Sequence, residues 1–168
     1  MKLPFERISE AYQVRRITEG DLPELLALAQ GNAAYYTHMH ETPELETLRG
    51  DLTKLPPRTT PEDKYFLGYY QEGRLCAALD LITRYPAPEM AFIGWFVVRK
   101  DLQGKGIGTS MAGELFALLK DCGYHAVRLG YVKGNEESRA FWVKQQFSPT
   151  GVETDGGAYK IVVMQKDL

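Results

Sequence analysis

The stretch Gln103-Gly104-Lys105-Gly106-Ile107-Gly108-Thr109 sets three glycines at alternate positions with a lysine among them. It follows an apolar run, Met90 to Val98, and a helical pattern begins inside it, with Ile107, Met111, Leu115, Leu118 and Cys122 on one face. The first N–H groups of a helix lack partners within the helix and carry the positive end of its dipole. Glycines let such a backbone fold closely round an anion, and Lys105 adds charge at the rim, so the chemistry suited to this spacing is phosphate binding. Three other readings compete. A tight strand-to-helix turn explains one or two glycines but less readily three. A P-loop needs GxxxxGK[ST], which the chain lacks. A dinucleotide fingerprint needs glycine where Thr109 stands and normally follows the first strand of a fold.

Residues able to move protons are scattered. The run Met90 to Val98 holds no carboxylate; Glu89 lies just before it, Asp80 in the preceding strand-like run and Tyr131 in the following one. Each is more readily structural or solvated than catalytic. His38 and His40 flank Met39, but two histidines make a poor metal site and no further ligands stand near them, so no metal is expected. Tyr35, Tyr36, Tyr65, Tyr69, Tyr70, Tyr85 and Trp95 enrich the first half in aromatics, some of which must pack in the core.

The elements that must hold these residues can be read from periodicity and breakers. Tyr12 to Ile17 reads as a first strand. A helix starts at Asp21, which is placed to cap it, with Glu24 in the first turn. Thr42-Pro43 opens a second helix whose leucines recur as far as Pro56-Pro57. Lys64 to Tyr70 and Leu75 to Thr83 form a hairpin around Gln71-Glu-Gly-Arg74, and Met90 to Val98 is a fourth strand. The helix after the glycine loop ends at Gly123. His125 to Tyr131 is a fifth strand, Asn135 starts a fourth helix, and strands near Phe147 to Glu153 and Ala158 to Gln165 close the chain. This order, β-α-α-β-β-β-α-β-α-β-β, predicts a mixed α/β sheet with flanking helices, not a doubly wound one.

Composition narrows the class. With 168 residues, 44% hydrophobic and 25% charged, the chain suits one domain spanning 1–168 with a real core. A net charge of −2 does not suggest a nucleic-acid partner. Two cysteines, Cys76 and Cys122, far apart and outside any CxxC pattern, point to a reducing compartment. The opening residues lack an apolar leader and no run approaches membrane-spanning length, so a cytoplasmic protein without a membrane partner is expected.

Gln103-x-x-Gly106-x-Gly108 resembles the Arg/Gln-x-x-Gly-x-Gly/Ala pyrophosphate motif of the GCN5-related N-acetyltransferase (GNAT) family. Asn135, Ser138, Phe141, Lys144 and Phe147 fall where a second family segment would place them, and Tyr159 to Leu168 is similar to the family's closing strand. The resemblance implies an acyl-CoA N-acyltransferase fold whose fourth and fifth strands splay apart. It implies acetyl-CoA as co-substrate and a small-molecule or peptide amine as acceptor; a homodimer is expected by analogy alone. Phe96, Val97 and Val98 would bind the pantetheine arm through their backbones. Gln103, Gly104, Lys105, Gly106, Ile107, Gly108 and Thr109 would hold the pyrophosphate. Asn135 would touch pantetheine, or cap its helix, or both. The family commonly draws a proton from a tyrosine following the position of Phe141, where this chain has Trp142, and often has Glu in the fourth strand. Their absence leaves Tyr131 and Glu89 as the candidate catalytic groups, acting through water, and keeps open an alternative: a non-catalytic acyl-CoA sensor on the same fold. Gln146 also stands where the family usually has glycine.

Overall fold

The alternating and helical patterns become one seven-stranded sheet and five helices in the computed structural model, which describes residues 2–168. The strands are β1 (Gln13–Arg16), β2 (Lys64–Gln71), β3 (Arg74–Thr83), β4 (Met90–Val98), β5 (Ala126–Val132), β6 (Ser148–Asp155) and β7 (Lys160–Asp167). Their order in the sheet is β1-β2-β3-β4-β5-β7-β6. Neighbours run antiparallel except β4 and β5, which are parallel. A parallel pair needs a crossover, and the helix after the glycine loop supplies it.

The helices are α1 (Leu22–Gln30), α2 (Ala33–Thr37), α3 (Leu45–Asp51), α4 (Ile107–Asp121) and α5 (Glu136–Lys144). The expected first helix is α1, α2 is a further short helix that follows it, and the second expected helix is α3, which is shorter than Thr42 to Leu55. Asp21 does not cap α1. Its carboxylate instead closes the preceding 3₁₀ turn by accepting from the Thr18 N–H at 2.8 Å, and takes a two-pronged contact from Arg15 at 2.9 and 3.0 Å. Helices α4 and α5 end alike. At the end of α5 the Gln146 N–H reaches the Val143 carbonyl and the Phe147 N–H reaches the Trp142 carbonyl, the paired bonds of a Schellman stop. Such a stop needs a left-handed residue. Gly123 fills that place after α4 with φ 90°, while Gln146 fills it after α5 with φ 72°. The family's usual glycine is the unstrained choice there.

Apolar side chains pack on both faces of the sheet. One cluster joins the sheet to α4 and α5 through Met111, Leu115, Leu119, Trp142 and Phe147. The other joins it to α1 and α3 through Leu22, Leu25 and Leu48. Leu25, Leu67, Leu79 and Leu119 are completely excluded from solvent. This buried apolar surface fixes the frame on which the site is built.

Two irregularities in β4 matter for function. Its pairing with β5 runs from Met90↔Ala126 to Ile93↔Leu129 and stops there, so the strands part beyond Gly94. Its pairing with β3 shifts between Asp80↔Trp95 and Leu81↔Ile93, which leaves Gly94 as an extra residue, a β-bulge.

Candidate functional site

The glycine loop takes the form its composition suggests. Gly104 and Gly106 have φ of 75° and 79°, a region favourable only to glycine, and α4 starts directly from Gly106. Ser110 is the first of this helix's amides to bond back, to the Gly106 carbonyl at 3.0 Å. The amides of Ile107, Gly108 and Thr109 precede that first internal bond and can meet an anion. Gly108 is small for a different reason: a Cβ there would lie 3.3 Å from the Phe141 ring and 3.5 Å from Val98 Cγ2.

These groups line a cavity of about 640 Å³, ample for a small-molecule site. Gly104, Gly106, Gly108 and Thr109 border one end, with Lys100 and Lys144 beside them. From there the cavity follows the splay, past Phe96 to Val98 on β4 and Leu129 and Gly130 on β5, to Tyr35 and His38. Lys105 and Ile107 do not line it: Lys105 is exposed and Ile107 packs against the core.

Backbone alternation decides which β4 groups face the gap. The Arg99 N–H bonds the Cys76 carbonyl of β3 at 2.8 Å, so Val97 also bonds β3 while Phe96 and Val98 point the other way. Two of the three expected strand residues therefore offer backbone groups to the splay, and Val97 does not. The Val98 carbonyl is already engaged, accepting from Gln103 Nε2 at 2.7 Å and from Asn32 Nδ2 at 3.3 Å. Gln103 also donates to Asn32 Oδ1 at 2.6 Å. Its side chain thus ties the α1–α2 junction to the end of β4 at the edge of the cavity. Thr109 Oγ1 accepts from Gln145 at 3.0 Å and ties α4 to α5. Asn135 caps α5 by accepting from the Ser138 N–H at 3.1 Å, and it also lines the cavity, so its two expected positions coincide.

Trp142 is buried in an aromatic cluster, with ring centroids 6.1 Å from Phe96, 4.8 Å from Phe141 and 5.3 Å from Phe147. It borders the cavity between α5 and the splay. The structure does not bring Glu89 or Tyr131 to this place. Glu89 precedes the closed end of β4, where its carbonyl accepts from His125, seven residues before Phe96 and so about 20 Å along the strand. Tyr131 packs in the core cluster and borders neither of the cavities described here. His38 faces the first cavity and His40 does not.

A second cavity of about 540 Å³ opens on the other side of the sheet, between α3, the α2–α3 loop and strands β2 to β4. Tyr35, Gly94 and Trp95 line both cavities, so the two meet at the bulge of β4. Aromatic rings wall this side: Phe66 lies 6.0 Å from Trp95, and Tyr85 5.4 Å from Phe92. Burial pushes the Tyr35 phenol up to about 12, so it stays protonated at neutral pH and can donate a hydrogen bond. Asp80 and Lys64 form the floor. Asp80 was visible in the sequence only as a lone carboxylate within the apolar run Leu75 to Thr83, and nothing local ties it to Lys64, sixteen residues away.

A family model described as "Acetyltransferase (GNAT) family" matches residues 25–147. The chain belongs to the GNAT family. No curated protein matches it in sequence. Among solved structures, an acetyltransferase from Thermus thermophilus superposes with a TM-score of 0.74 at 23% identity, covering 94% of this chain and 97% of that one. The PaiA N-acetyltransferase of Thermoplasma acidophilum, solved in complex with coenzyme A, gives 0.69 at 19% identity, covering 94% and 99%. The ribosomal-protein-S18-alanine N-acetyltransferase of Escherichia coli gives 0.65 at 15% identity, covering 93% of each. At these identities the likeness is one of fold, and the GNAT fold is that of the sheet described above.

Proposed function

We propose that this GNAT protein transfers an acetyl group from acetyl-CoA to a primary amine of a small molecule or peptide, by direct attack of the amine. The meeting of two cavities at the β4 bulge carries this reading. The cavity along the splay fits the donor: free amides at the start of α4 and two lysines suit the pyrophosphate, and the outward backbone of Phe96, Val98 and Gly130 suits an extended amide-bearing arm. Coenzyme A in the Thermoplasma relative supports the same choice. A sensor would need only this compartment. The second cavity, joined to the first at Tyr35, Gly94 and Trp95, gives the acceptor its own approach to the thioester.

Direct attack is supported by the thiols. Cys76 and Cys122 border neither cavity, so a cysteine acyl carrier has no place in the route. The donor site is tested by calorimetry with coenzyme A on the wild type and on Gly108→Leu. The larger side chain must displace Phe141 and intrude on the splay, and a tenfold or greater loss of affinity is expected. Unchanged affinity in a folded variant would place the donor elsewhere.

A further inference from the structure

We infer that Asp80 is the proton acceptor of the transfer and that Lys64 is the residue that positions and tunes it. The inference rests on the two-compartment reading and adds the missing base. Asp80 lies on β3 directly opposite Trp95, at the place where Gly94 bulges out of β4. The bulge brings Gly94 and Trp95 successively past one carboxylate. A Cβ on residue 94 would lie 2.9 Å from Asp80 Oδ2, so only glycine leaves that oxygen its room. Asp80 thus abuts the residues shared by the donor and acceptor cavities.

Lys64 starts β2, two strands from the splay, and is only 5% exposed. Its Nζ lies 2.7 Å from Asp80 Oδ1. Oδ1 is buried, and the Lys64 ammonium is the group placed to satisfy it. An unpaired buried lysine or aspartate is costly, and pairing offsets that cost in part. A merely structural pair, however, would gain from full hydrogen bonding and from burial away from solvent. This one forms the floor of an open cavity, with Oδ2 left unbonded toward Gly94.

The environment fits the task. Burial raises the Asp80 carboxyl above its ordinary range, and Lys64 restrains that rise. Asp51 on α3 adds to the rise and Lys54 opposes it; Glu41, Glu44, Tyr35, Tyr36, Tyr85 and Tyr159 are the other titratable groups lining the same cavity. The result is a carboxylate more basic than a solvated one, with Lys64 opposing the rise. In the transfer, the neutral amine forms its C–N bond to the acetyl carbonyl carbon, the C–S bond breaks, and sulfur leaves with the electron pair and takes a proton from solvent. The nitrogen, positive once bonded, gives its proton to Asp80 Oδ2, which returns it to solvent when product departs.

The test is the pH dependence of kcat for the wild type, Asp80→Asn, Lys64→Met and Lys64→Arg, with acetyl-CoA and a panel containing an arylalkylamine, a diamine, an amino sugar and a peptide with a free N-terminus. Asp80→Asn should lose about 10²–10⁴-fold in kcat and lose the acid limb of the profile, with coenzyme A affinity retained. Lys64→Met removes the cation that restrains the rise of Asp80, so its acid limb should move to higher pH. Lys64→Arg should return the limb toward the wild-type position, a rescue that a purely structural role would not produce. Asp80→Asn turnover within threefold of wild type would overturn the inference. So would a Lys64→Met variant with lowered kcat and an unmoved limb, and that variant carries the test alone if Asp80→Asn does not fold. A wild type that acetylates none of the panel would instead count against the function proposed above.

Discussion

Trp142 stands where the family often has a tyrosine able to donate a proton, and its surroundings explain how the chain accommodates the change. The indole fills a cluster with Phe96, Phe141 and Phe147, so its first role is volume and ring contact. An indole N–H donates a hydrogen bond but does not ionise near neutrality. Trp142→Phe should therefore keep most of the turnover. Trp142→Ala should cost about 3–5 kcal/mol of stability, as large aromatic truncations in a core do. Chemical denaturation and steady-state kinetics on the two variants check both statements. A Phe variant with wild-type stability and coenzyme A affinity but turnover lower by orders of magnitude would assign the indole a chemical role. At this scale the sequence was informative where backbone conformation selects the residue. Gly104 and Gly106 sit in the left-handed region that only glycine favours, and their spacing pointed to this tight turn into a helix. It was silent about Asp80 because the pairing of Asp80 with Lys64 and Gly94 depends on strand register, which no local pattern prints.

Among the elements, the strands and helices α1, α4 and α5 were legible, from apolar periods in the strands, α1 and α4, from Gly123 after α4 and from Asn135 as the cap of α5. The short helix α2 was not, since the turn that sets it off from α1 depends on contacts from afar. Asn32 bonds Leu28 and Val98, and Gln103 bonds Asn32, so the chain is turned by the end of β4. The placement of Asp21 is similar, because the partner that claims it, Arg15, projects from β1. This contact fastens β1 to the start of α1 and has a pH signature. The hydrogen bonds from Arg15 lower the Asp21 carboxyl to about 2, against roughly 3.9 in an unfolded chain. Its folded value being depressed, its contribution is complete above the unfolded value and is lost as pH falls through 2. The shift alone would amount to roughly 2.5 kcal/mol. The Arg15 side chain is 40% exposed, however, and screening by solvent reduces the expectation to about 1 kcal/mol. Asp21→Asn should accordingly be less stable than wild type by about that amount at pH 7, and denaturation curves of the two should converge as the pH approaches 2. A gap that persists undiminished in acid would show that the carboxylate charge is not its source.

Across the whole molecule, the interrupted pairing of β4 does two things at once. Beyond Ile93 it frees one edge of the strand, so that a donor arm can add to the sheet where β5 has turned away. At Gly94 it bulges, and Gly94 and Trp95 there border both the cavity along the splay and the aromatic cavity behind it. Helices α4 and α5 with the α1–α2 junction border the first cavity, and α2 and α3 border the second. The most direct test of the central claim is amine-dependent release of free coenzyme A thiol from acetyl-CoA, with the N-acetylated product identified by mass spectrometry. The account predicts thiol release in equal amount with an acetylated primary amine, and initial-velocity plots whose lines intersect, as expected when donor and acceptor occupy their two cavities together. Tight binding of acetyl-CoA with no amine-stimulated thiol release across arylalkylamines, diamines, amino sugars and peptides would contradict it and leave the protein an acyl-CoA sensor.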